Sequence, residues 1–152
     1  MVNTEALYQE LILEHNRKPK NFREMPDATR HVEGRNPMCG DSLTLWVKLE
    51  GDAIADVSFK GTGCAISKAS ASLMTAAIKG KSREEANALF ERFHDLVTGK
   101  LPPEQEAELG SLRALGGVSR FPLRVKCASL AWHALKSALD ATGAEVSTER
   151  DG

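Results

Sequence analysis

Residues 41–60, DSLTLWVKLEGDAIADVSFK, constrain the fold more than any other stretch of the chain. Leu43, Leu45, Val47 and Leu49 alternate with Ser42, Thr44, Trp46 and Lys48, a period of two that sends one set of side chains to a buried face and the other toward solvent. EGDA then turns the chain into a second strand, where Ala55, Val57 and Phe59 alternate with Asp56, Ser58 and Lys60. An antiparallel hairpin of this kind is marginal by itself in water, so its apolar face requires a cover.

Helical spacing elsewhere supplies that cover. Thr4 caps a segment of about residues 4–16 in which Tyr8, Leu11, Ile12 and His15 recur on one face, and Pro19 follows its end. A short strand is predicted near Arg30 to Gly34. From Ala65 the period lengthens, with Ile66, Ala69, Leu73 and Ala76 on one stripe that Gly80 stops. Ser67, Ala69, Ser70 and Ala71 are small enough to let this helix approach the sheet closely. Ser82 and Glu85 have capping-box spacing ahead of Ala86, Leu89, Phe90 and Phe93, and LPPEQEAELG predicts a turn and a short polar helix. A last helix from about Leu123 to Ala141 aligns Cys127, Leu130, Ala131, Ala134, Leu135 and Ala138. The tail, residues 143–152, is expected to be frayed and solvated. Strands grouped before helices predict an α+β fold: a small antiparallel sheet of about three strands with helices packed on it, in one domain over residues 1–152.

Charge and hydropathy exclude several function classes. The 20 basic and 21 acidic residues form no long run of one sign, so no nucleic-acid partner is expected. The N-terminus lacks the basic-then-apolar order of a signal peptide and no stretch approaches membrane-spanning length, which predicts a cytoplasmic protein without a membrane role. In a reducing compartment three cysteines point to thiolate chemistry or metal binding rather than a disulfide framework.

Cys39 and Asp41 are two positions apart, so an extended backbone projects both to one side, and Gly40 between them permits sharp bending or close approach. Their odd-numbered parity continues that of Leu43 to Leu49, which places both at the end of the core-facing row unless a bulge intervenes, in a site shielded rather than fully exposed. Cys64 follows GTG and opens a helix, where the helix dipole and free N–H groups favour the thiolate. Cys127 sits on the buried stripe of the last helix and meets the other two if that stripe packs on the sheet. Three sulfurs and one carboxylate, from Cys39, Asp41, Cys64 and Cys127, suit a tetrahedral zinc. The three thiolates equally suit a [2Fe-2S] cluster with an exchangeable fourth ligand. With zinc the ligand shell carries a formal charge of about −2, and Arg124 and Lys126 flank Cys127 as candidate counter-charges. Spacing alone leaves open a third reading, buried cysteines with no metal.

NPMCGD at 36–41, GTGCAISKASAS at 61–72, RVKCASLAW at 124–132 and LILEHNRKPKNF at 11–22 resemble the motifs of the IscU/SufU family, also called NifU N-terminal-like, over residues 5 to 142. The resemblance implies a SufE/NifU-like fold and a role in iron-sulfur cluster assembly. Two features resemble the SufU branch: Lys126 where IscU-type scaffolds have a histidine, and an extra segment within about Gly99 to Ser119. That branch implies one zinc on Cys39, Asp41, Cys64 and Cys127, and sulfur transfer from a pyridoxal-phosphate cysteine desulfurase of the SufS/IscS kind to Cys39, then onward to downstream cluster-assembly proteins. A histidine of the desulfurase is implied to replace Cys39 on the metal, and Arg124 becomes a candidate for steadying the freed thiolate or persulfide. The IscU branch implies a scaffold instead, with a labile [2Fe-2S] cluster or iron on Cys39, Cys64 and Cys127. A purely structural zinc domain is a further reading. A zinc hydrolase or deaminase is disfavoured, since neither HExxH nor HxE…PCxxC occurs. His15, His31, His94 and His133 are expected in surface or packing roles, Trp46 and Trp132 as core or interface aromatics, and Lys60, Lys68 and Lys126 as solvated, with a docking face as the alternative.

Overall fold

The hairpin read from the alternation is the middle of the sheet. In the computed structural model, which describes residues 4–140 and 146–147, β1 (Arg30–Asn36) and β2 (Asp41–Glu50) pair antiparallel, as do β2 and β3 (Ala53–Thr62). The helices are α1 (Thr4–Arg17), α2 (Ala65–Ile78), α3 (Arg83–Val97), α4 (Pro103–Glu106) and α5 (Pro122–Leu139), with a 3-10 stretch, Ala107–Arg120, before α5. The fold is the expected α+β arrangement. β4 (Val146–Ser147) adds a short parallel pairing at the outer edge of β1, giving the order β3-β2-β1-β4. The rest of the tail, expected to fray, lies outside the described residues.

Leu43, Leu45 and Val47 face the core, but the second strand departs from the predicted parity. Lys48 pairs with Asp56 and Leu49 with Ile54, which leaves Ala55 as an extra residue. This bulge shifts the phase, so Ile54 and Val57 both point inward and Ala55 does not.

α5 lies against β1 and β2, α2 packs beside it and against β3, and α1 covers α2. Trp132 of α5 is buried and stacks on Phe93 of α3, with ring centroids 4.5 Å apart, while Trp46 stays half-buried on the sheet. The capping box is present at the start of α3, where Ser82 and Glu85 each bond the other's backbone. The short polar helix expected within LPPEQEAELG is α4, and residues 107–120 follow it. The structure forms 3-10 turns there, kinked at Gly110, and buries Leu109, Leu112, Leu115 and Val118. A three-residue turn stacks positions i and i+3, and these four apolar residues recur at that interval. They close the core against α3, α1 and α5. Among the described residues no helix is long and apolar enough to cross a membrane.

α1 docks on α2 through polar groups as well as apolar ones. Lys20 N–H donates to Ser72 Oγ at 2.7 Å, which leaves the hydroxyl proton for His15 Nδ1, also 2.7 Å away. Burial, and then the charge of Lys20, lower the pKa of His15 below its ordinary 6.5; Glu14 opposes this weakly. Below about pH 6.5 the unfolded chain therefore takes up a proton that the folded chain resists, and stability falls as pH falls. Urea unfolding between pH 7.5 and 5.5 should show a steeper loss of stability in the wild type than in His15→Asn; equal slopes would refute this role for His15.

Candidate metal centre

Residues 37–40 form the turn that joins β1 to β2, closed by the pair Asn36 and Asp41. Cys39 N–H donates to the Asn36 carbonyl at 3.2 Å, and Pro37 occupies the second position of this turn, where its fixed φ is already correct. Gly40 has φ +71, and a Cβ added to it would meet nothing within 4 Å. It serves the bend rather than a close approach. The turn also corrects the expected placement of Cys39. Alternation begins only at Asp41, which is buried at 2% exposure, whereas Cys39 sits in the turn and is exposed.

Asp41 is held from the opposite side of the sheet end. Its Oδ1 accepts from Cys64 N–H at 2.8 Å, and its Oδ2 lies 3.7 Å from Cys64 Sγ. Cys64 is the N-cap of α2, and its sulfur accepts from Ser67 N–H at 3.4 Å, occupying one of the free amides at that helix end. Gly63 makes this approach possible. It has φ +146, and a Cβ there would stand 2.3 Å from Asp41 Oδ1 and 2.9 Å from Asp41 Cα.

Cys127 comes from the second turn of α5, at 2% exposure, and its sulfur is 3.2 Å from that of Cys39. The ligand atoms of Cys39, Asp41 and Cys127 all lie within 4.8 Å of one another; Cys64 stands at the edge of this group, with its sulfur 3.7 Å from Asp41 Oδ2. The soft-sulfur, hard-oxygen set suits zinc, whose tetrahedral donors stand about 3.8 Å apart when each is about 2.3 Å from the ion. Burial pushes the Cys127 thiol well above its usual range, and contacts with Cys39, Asp41 and Cys64 push the same way. A dication among these groups reverses that preference and favours the thiolate.

The remaining candidates fall outside the cluster. Arg124 is exposed, with its guanidinium 4.6 Å from the Phe121 ring centroid. Lys126 is half-buried beside Cys127. Lys60 and Lys68 stand over the Phe22 ring. Among the described residues no histidine joins the cluster: His15 packs on α2, His31 is exposed, and His94 and His133 contact Phe90.

Asn36 is the residue that sequence reasoning did not single out. Its Nδ2 lies 3.3 Å from both Asp41 Oδ2 and Cys127 Sγ, and the residue is 0% exposed. The signal was its parity, because Val32, Gly34 and Asn36 form the buried row of β1 and the last of them is polar.

With this geometry in view, comparisons with known proteins agree on one family. The model of the NifU-like N terminal domain matches residues 7–128. An iron-sulfur cluster assembly scaffold protein IscU from Streptococcus pyogenes is 45% identical over 88% of this chain and 82% of its own. The zinc-dependent sulfurtransferase SufU of Bacillus subtilis is 45% identical over 88% of this chain and 90% of its own. The crystal structure of a putative iron-sulfur cluster assembly scaffold protein for the SUF system from Fervidobacterium islandicum superposes with a TM-score of 0.81 at 36% identity, covering 90% of this chain and 99% of that one.

Gly63→Ala tests the built contact at Asp41. The variant should keep its far-UV circular dichroism, since Gly63 lies at the exposed rim of the sheet, but bind zinc about 10- to 100-fold more weakly in competition with a chelator. Unchanged affinity would show that Asp41 does not depend on the close approach.

Proposed function

This chain belongs to the NifU-like N-terminal domain family, and from that premise we propose that it serves iron-sulfur cluster assembly as a zinc-dependent sulfurtransferase, with Cys39 as the sulfur acceptor. The observation that carries this reading is the unequal burial of the donors. Cys39 stands exposed on a tight turn, while Asp41 and Cys127 are buried and Cys64 is tied to a helix end. Cys39 is the most exposed of the four donors, with Cys64 half-buried and Asp41 and Cys127 buried.

Cys39, Asp41, Cys64 and Cys127 would hold the zinc, which when bound supplies a charge that keeps the thiols deprotonated near neutral pH. The transfer itself belongs to Cys39. Its thiolate attacks the outer sulfur of a persulfide on a cysteine desulfurase; a new S–S bond forms on Cys39, the donor's S–S bond breaks, and the donor's cysteine leaves as a thiolate. No net oxidation is needed. Arg124, which can swing from Phe121, is the residue we assign to steadying the resulting anion. Met38, in the same turn as Cys39, and Phe121 and Leu123, at the start of α5, are exposed apolar side chains that suit a protein partner at this end. A desulfurase delivers the sulfur and a downstream cluster-assembly protein receives it, in the cytoplasm. The name of the Bacillus relative supports this branch, as does Lys126 in place of the scaffold-type histidine.

The second reading is a scaffold that holds a transient [2Fe-2S] cluster as cargo on Cys39, Cys64 and Cys127, and the name of the Streptococcus relative favours it. Two measurements separate the readings. Alanine release by the organism's own cysteine desulfurase should rise severalfold with the zinc-loaded protein and return to the desulfurase-alone rate with Cys39→Ala. No stimulation by the wild type would favour the scaffold. Metal analysis of Asp41→Ala should show lost zinc and no cluster; a trapped, coloured cluster in that variant would contradict the transferase reading.

A further inference from the structure

Three of the four donors receive hydrogen bonds from nitrogen. Asp41 accepts from Cys64 N–H and from the Asn36 amide, Cys127 from the same amide, and Cys64 from Ser67 N–H. The partner of the Cys39 sulfur among the described residues is the sulfur of Cys127. Both groups facing Asn36 Nδ2 are acceptors when ionised, so the amide donates one hydrogen to each and its orientation is fixed by them.

We propose that Asn36 is a positioning residue: it fixes Asp41 and Cys127 as permanent ligands and so leaves Cys39 as the one that departs. This rests on the metal-centre reading above. A neutral amide suits the task, because it disperses negative charge on two anionic donors at once without adding a full charge to the shell. Its own place is secure, since Asn36 ends β1, pairs with Asp41 and accepts the turn bond from Cys39 N–H. The anchor of two ligands and the hinge of the third are therefore one residue.

Asn36→Ala removes both donors, and the isosteric Asn36→Asp keeps the shape but sets a carboxylate against two anions. Zinc affinity by chelator competition should fall about 10- to 100-fold in Asn36→Ala and further in Asn36→Asp. The visible spectrum of the cobalt-loaded protein should shift in both variants. Alkylation of the zinc-loaded wild type, mapped by mass spectrometry, should mark Cys39 first with Cys127 protected, and Asn36→Ala should lose that order. Wild-type cobalt spectrum and Cys39-first alkylation in the variants would overturn the proposal, even if affinity fell, because general loosening would weaken binding without changing which ligand leaves. Should Asn36→Ala fail to fold, Asn36→Asp carries the same comparison. A wild type that binds neither zinc nor cobalt would instead overturn the metal-centre reading, a separate result in the same experiment.

Discussion

The hydrogen bond from Cys64 N–H to Asp41 Oδ1 joins the first residue of β2 to the first turn of α2, and the rest of the site is arranged about it. It places a buried carboxylate where a helix N-terminus, a turn and a second helix converge. Burying an anion is costly unless its acceptors are filled, and Asp41 is filled from two sides. Gly63 is what lets the two backbones come close enough, and Gly61 does the same one step earlier, since a Cβ there would stand 2.4 Å from the Ser42 carbonyl oxygen. GTGC is thus a packing requirement as much as a ligand motif.

Local periodicity made much of the fold legible. Leu43, Leu45 and Val47 fixed the inner face of β2, and Ser82 with Glu85 marked the start of α3 by a capping exchange that needs no tertiary partner. What stayed hidden depends on contacts distant in the chain or on a less common period. The bulge at Ala55 follows from how β3 registers against β2, which neither strand states alone. The stretch over 107–120 obeys a period of three, so a search for 3.6 passes over Leu109, Leu112, Leu115 and Val118.

The site divides in the same way. Cys39, Asp41, Cys64 and Cys127 were nameable because few chemistries use thiols and a carboxylate beside glycines, and the family resemblance supplied their grouping. That Cys39 and Cys127 meet at 3.2 Å depends on α5 packing along β1, a contact across most of the chain. Asn36 escaped notice because its meaning lies in two partners, one of them 91 positions away. Cys39 was misplaced for a simpler reason, since alternation was extended into a turn where it no longer applies.

On the proposed function the outcome is a division of labour among chemically similar groups: Asp41 and Cys127 buried, Cys64 half-buried at a helix end, and the exposed thiol of Cys39 free to leave and to react. The most direct test is to incubate the zinc-loaded protein with its cysteine desulfurase and cysteine, without reductant, and to locate added sulfur by peptide mass spectrometry. This account predicts a mass gain of one sulfur atom on the peptide bearing Cys39, with Cys64 and Cys127 unmodified. Sulfur on Cys64 or Cys127, or none on Cys39 while the desulfurase turns over, would contradict it.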